Sequence, residues 1–528
     1  MKIRARFVAS LAVLSVACQA VLGIEDTTEG ANGAGGIGGT GAGADATTGG
    51  TGGDSGPDSG GDSSADSDAP NPCDFSVNAI ADQSVVRGKS TVFNVSIQVD
   101  PCFNGAVDVT IPQALGISAA PTTIAAGGTS TTLTLSATAG ASLGAHQITA
   151  TFSGSQTHQT TFTLLVKDDP GELDQTFNQW GKPGTSVRAL AIDSGGYIVA
   201  AVNPGWDVAR LEPDGMPDAA FAPGALLTSG AANDVAISPT NDAIVLAGST
   251  NVLAVQRRAK TGAADTTLGP NGAYTSFNLP TAGSAYGVAV TSDDRIFVAV
   301  ELSALSNNSM GLRIDPTIGG SNKVDASWEA FNVNFRWAAV TPTRLLMGGN
   351  TNNNVNGLET NPFAAALSAS TGDPDPTFGQ FTSGIVDYQT AGPQQVEDGT
   401  TTQNGIYMCG FEVNAPVLWS FDADGKTPNN VYPGNLSGYR LYGIAAQADD
   451  KVVVVGHNTA NGQSIVARFN ANLSKDTSFA PDEPTPGIRL FQINGGTTQL
   501  RAIAIQSDGR IVLGGTGPNG AVIIRLWN

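Results

Sequence analysis

The sequence predicts an all-β protein in two folded parts, a β-sandwich followed by a closed ring of seven β units. Three observations predict it. A short block recurs seven times through the last two-thirds of the chain. Between its copies lie pairs of apolar runs joined by tight-turn residues. Ahead of the array, a separate stretch alternates apolar and polar residues, with turn clusters spaced about every ten residues, as short strands do.

Internal repetition decides architecture before any local signal. The block reads Leu173-Asp174-Gln175-Thr176-Phe177 at its first copy and Lys475-Asp476-Thr477-Ser478-Phe479 at its last. Intermediate copies centre on Asp218, Asp265, Asp325 and Asp375, and a degraded one on Asn429. Steps of 44 to 60 residues separate them and 52 more reach the C-terminus, so seven units fill 173–528. Each unit also carries a hairpin, clearest where Ala502-Ile503-Ala504-Ile505 passes through Asp508-Gly509 into Ile511-Val512-Leu513. A third strand follows, as in Val466-Ala467-Arg468-Phe469. Units of this length with three or four antiparallel strands suit the blades of a β-propeller. Runs such as Val452-Val453-Val454-Val455 suit strands covered on both faces.

The repeat resembles the delta-60 repeat family of bacterial proteins, whose unit couples Leu-Asp-x-Thr-Phe to an Asp-Gly hairpin and an Ala-Arg-Leu strand. The resemblance covers 173–528 and is best in units 1, 6 and 7. It implies a propeller-like scaffold and no particular chemistry. The repeated Asp is expected to cap a turn through its side chain. The aromatics Phe177, Phe221, Trp328, Phe378, Tyr432 and Phe479 are expected to wedge between blades.

Residues 1–22 read as an export signal, with Lys2, Arg4 and Arg6 ahead of an apolar run too short to span a bilayer. The run ends in Leu14-Ser15-Val16-Ala17-Cys18, which looks like a lipobox with Cys18 as the lipid attachment site. An ordinary signal cut near Ala20 or Gly23 is the alternative. Residues 23–72 form a Gly/Ser/Asp-rich tether unable to bury a core; 25–70 holds nine acidic residues and no basic one. Residues 73–167 suit an immunoglobulin-like sandwich of about seven strands. Asp168-Asp169-Pro170-Gly171 reads as a hinge. Cys73 and Cys102 flank the first two strands, and an exported chain allows them to pair. Cys409, in an apolar strand, reads as a buried thiol.

No metal-ligand spacing, phosphate loop or nucleophile elbow appears, so no cofactor, metal or catalytic residue is assigned. The net charge of −20 argues against nucleic acid. An exported, lipid-anchored binding scaffold of the cell envelope is expected, touching the membrane only through its anchor and meeting carbohydrate or protein. The alternative is a hydrolase or lyase of an extracellular polymer, with carboxylates converging in the propeller channel. A polar binding lip is expected at Asn350, Asn352, Asn353, Asn354 and Asn356, an insertion between two strands of unit 4.

Overall fold

The computed structural model describes residues 73–528 except 225–226, 276, 278, 280–281, 303–307, 353–359, 380–383, 389–393, 414 and 435. Cys18, the signal segment and the tether therefore lie outside the described residues. Strands dominate, and the helical turns among the described residues are two three-residue 3-10 turns.

The first folded part is a pair of sheets. One has four strands, in the order Phe75–Val77, Ser90–Val99, Ser130–Ala137, Ile117–Ala119. The other has five and includes a parallel pair, Gln83–Val86 beside Thr157–Lys167. The nine strands exceed the seven expected, because pieces as short as Thr122–Ile124 leave no readable alternation. Alternate residues of the longer strands, among them Val95, Leu133, Phe152 and Leu164, meet in one core. Cys73 and Cys102 are joined by a disulfide. Pairing of Phe75 with Val99 brings the two cysteine segments level, which is why this bridge forms.

Among the described residues the second part is a β-propeller-like array of seven sheets, six of four strands and one of three. Their first strands are innermost: Ser186–Ile192, Ala231–Ile237, Gly283–Val290, Val333–Val340, Gln394–Thr401, Tyr439–Ala446 and Gln499–Ile505. Each packs beside the next, and the last packs beside the first. The faces between sheets are apolar. Val452 and Val454 face the preceding sheet with Tyr407 and Leu418, while Val453 and Val455 face the following one with Leu513. A fully buried aliphatic side chain contributes roughly 1.5–3 kcal/mol, so these strands are stable only when covered on both sides.

The two ends of the array meet. Trp180–Lys182 is the fourth strand of the last sheet, with Trp180 opposite Ile523. Leu173 bridges Leu526, and the Asp174 amide donates to the Arg525 carbonyl at 2.8 Å.

The repeated block acts as a turn lock at the hairpin end of the sheets. Asp174 Oδ1 accepts from the amide and hydroxyl of Thr176, and Asp375 and Asp476 do the same with Thr377 and Ser478. Their second oxygens take an arginine: Asp174 with Arg525, Asp476 with Arg468. Unit 4 has Ala366 in place of that strand arginine, and Arg344 reaches Asp375 instead, at 2.7 Å. Phe177, Phe378 and Phe479 are buried wedges, as expected, each beneath a turn glycine. A Cβ on Gly425, where φ is +71°, would stand 2.7 Å from the Phe378 ring. Phe221 is only half-buried, and Tyr432, in the degraded copy, is exposed with its hydroxyl on Glu412.

The expected hinge is a member of this system. Gly171 sits beneath Phe479 as Gly425 does beneath Phe378. The Ala480 amide donates to the Pro170 carbonyl, just as Asn178 donates to Asp214 and Gly379 to Asp424. On the sandwich side, Asp168 accepts a forked pair from Arg87 and Asp169 accepts from Lys89. The linker is held from both directions.

Two outcomes are expected. Arg525→Ala removes the nearer of two guanidinium partners of the buried Asp174 carboxylate, leaving Arg510 at 3.7 Å, and should destabilise the array by about 1.5–3 kcal/mol, read from urea unfolding. Cys73→Ser with Cys102→Ser should cost the sandwich roughly 3–4 kcal/mol, while the array transition stays in place.

Candidate channel site

Every inner strand begins with the same irregularity. Its register against the second strand slips by one residue, near the end away from the Asp-Gly hairpins. A bulge leaves one extra residue and re-aims its side chain. The extra residues are three arginines, Arg188, Arg336 and Arg501; two tyrosines, Tyr286 and Tyr442; and Asn233 and Glu397. All seven are half-buried and line one cavity of about 110 Å³ on the axis of the array.

At two of the bulges the next residue joins neighbouring sheets. Asp234 accepts the amides of Val235 and, in the next sheet, Val288, both at 2.8 Å. Asp398 accepts from Gly399 at 2.7 Å and from Ile444 of the next sheet at 3.1 Å. In both cases the matching position of the receiving sheet is glycine, Gly287 or Gly443. A Cβ at Gly287 would lie 2.4 Å from the Ala338 amide nitrogen. The two aspartates therefore supply acceptors to edge-strand amides that no fifth strand pairs.

Burial pushes the Asp234 carboxyl up to about 6, against the pull of its two amide donors. Burial also lifts Asp398 to about 7, with the Asp234 and Glu397 charges adding to the rise. Glu397 is raised by burial, and Arg336, Arg188, Arg501 and Arg440 pull it back. Arg336 is committed to Glu301 at 3.0 Å and lies over the Tyr286 ring. Arg501 lies over Tyr442, which stacks on His457. Among the described residues no three His, Cys, Asp or Glu side chains converge as a metal shell would need.

The asparagine lip is only partly placed. Asn350 is buried in the wall between sheets: its Nδ2 donates to the Gln394 carbonyl and its Oδ1 accepts from the Val396 amide, both at 2.9 Å. This amide is committed to the neighbouring sheet and does not stand on a lip. Asn352 ends the strand Arg344–Asn352, and Asn353, Asn354 and Asn356 lie outside the described residues. The end of that strand lies at the bulge end, since Asn350 and Thr351 pair with Asn334 and Val333 at the start of the inner strand. Cys409 is fully buried, and burial holds its thiol well above the usual range.

Sequence reasoning missed the bulge column. Its trace is a residue of varied character after an apolar one at the head of each inner strand, as in Val187-Arg188, Val396-Glu397 and Leu500-Arg501.

Residues 447–479 match a family model described as "Domain of unknown function (DUF5122) beta-propeller". No curated protein matches. Among solved structures, domains 4-9 of the surface layer protein SbsC align over 84% of this chain and 70% of that one, at 9% identity and a TM-score of 0.15. A tetra-tandem repeat from the extending region of a large adhesion protein aligns over 84% and 98%, at 12% identity and a TM-score of 0.11. Such scores fall below those of a shared fold.

The channel carboxylates make stability depend on pH with a defined sign. For Asp398 the folded value, about 7, lies above the ordinary carboxylate range. Between pH 4 and 7 the native state therefore holds a proton that the unfolded chain releases. Its contribution is complete below about pH 4 and is lost as pH rises through 7, on the order of 4 kcal/mol. Urea midpoints at pH 5 and pH 8 should differ less in Asp398→Asn than in the unsubstituted protein.

Proposed function

We propose that the protein is an exported, lipid-anchored component of the cell envelope, in which an immunoglobulin-like sandwich carries a seven-bladed β-propeller as a non-enzymatic binding head. The observation that carries this reading is the placement of the linker. Residues 168–171 dock at the hairpin end of the sheets, and Lys167 donates to the Asn528 carbonyl there. The bulge ring lies at the other end, away from the sandwich, with the described connections between second and third strands, 204–206 and 518–519. A head held by one end offers the other to a partner, and carbohydrate or protein of the envelope fits the polar loops there. The tether of 23–72 supplies reach when its start is fixed at Cys18.

The second reading is a hydrolase or lyase of an extracellular polymer, favoured by the raised carboxyls of Asp234, Glu397 and Asp398. Against it stand the amide bonds that occupy Asp234 and Asp398. Release of reducing or unsaturated sugar ends from envelope polysaccharide, lost in Glu397→Gln, would establish the second reading.

Anchoring is tested by mass spectrometry of the mature N-terminus. A lipid-modified Cys18 is expected, and a free N-terminus at any later residue rules the anchor out. For the head, glycan arrays and envelope fractions probed with the mature protein should give a ligand. Replacing Thr351–Asn356 by Gly-Gly, in a variant that stays folded, should then weaken binding about tenfold or more.

A further inference from the structure

We propose that the channel binds a free tetrahedral oxyanion of the phosphate or sulfate class, held between Arg188 and Arg501. This goes beyond the envelope reading and stands whether or not the protein is anchored.

The two arginines occupy the bulge positions of the first and last inner strands, which ring closure makes neighbours. Both line the same half-open cavity. Among the described residues neither guanidinium has a carboxylate within ion-pair distance, and Arg501 has only the Tyr442 ring beneath it, at 5.0 Å. Most other arginines of the array do have such a carboxylate. Arg210, Arg257, Arg313, Arg344, Arg468 and Arg525 each meet an aspartate, and the third channel arginine, Arg336, meets Glu301.

Two adjacent cations that share a cavity repel each other, and removal from water weakens both. Burial, and then the charge of Arg188, accordingly pull Arg501 below its ordinary range. An anion between them offsets both costs. Guanidinium groups present planar forks of donors, and each matches two oxygens of one oxyanion. Two forks converging from separate sheets call for oxygens in more than one plane. A tetrahedral ion has them, whereas a carboxylate offers its two oxygens in one plane only. The cavity has room for such an ion with a water or two. Glu397, whose charge is felt by Arg188 and Arg501 without contact, faces the same cavity and opposes the anion.

The test uses the mature full chain, titrated with sodium phosphate or sulfate at constant ionic strength and followed by thermal midpoint and calorimetry. Acetate and chloride are the controls. Expected is a saturable rise with phosphate or sulfate, absent with both controls, and lost in a folded Arg188→Gln/Arg501→Gln double variant. Glu397→Gln should bind about tenfold more tightly, since a like charge leaves the cavity. Non-saturating stabilisation is what excluded salts give every protein, and it overturns the proposal. So does an equal response to acetate, or a folded double variant that keeps the effect. If the double variant does not fold, Glu397→Gln decides, and unchanged affinity there overturns it.

Discussion

The array depends on closure. Each of its sheets has two apolar faces, and a sheet at a free end of the row would leave one of them in water. The chain meets this by building the last sheet from both ends of the array, Trp180–Lys182 beside Gly520–Leu526. The Asp174 carboxylate, which locks the first turn, takes the Arg525 guanidinium from the final strand. Closing so long a segment costs chain entropy, but that cost grows only with the logarithm of length. A few strand bonds and one buried pair are enough to hold it, with the apolar faces supplying the rest.

Closure also determines how the sandwich is held. The residues just before Leu173 lie where a turn glycine must cover Phe479, and Gly171 does so. What reads as a flexible hinge in isolation is thereby drawn into the ring, while Arg87 and Lys89 hold its two aspartates from the sandwich side. The same closure creates the channel. Seven inner strands turn their unpaired edges toward one axis, and edge amides need acceptors when no further strand can enter. Asp234 and Asp398 meet that need at two of the seven junctions.

The array was legible in the sequence wherever one residue does one local job. Asp174 caps Thr176 and would do so in any repeat, and Val452 to Val455 show their burial in composition alone. The Cys73–Cys102 pair was legible because two flanked strands usually pair. Features that need a second element were not. A bulge exists only relative to its partner strand, so Arg188 and Glu397 looked like ordinary strand residues. Asn350 looked like part of a polar loop because the strand Arg344–Asn352 runs further than its apolar residues do.

Seven copies in one chain act as their own controls. At the hairpin end the same chemistry returns from sheet to sheet, an aspartate capping a turn and an arginine upon it, and where unit 4 lost its arginine Arg344 restored the pair from another strand. Such repair is what a structural requirement produces. At the channel end the bulge geometry is kept in all seven sheets, while its residue changes among arginine, asparagine, tyrosine and glutamate. A scaffold that needed only to fill its centre could repeat one residue there. Fixed backbone with varied chemistry is the pattern of positions freed from the fold, and in this array they all open into one cavity.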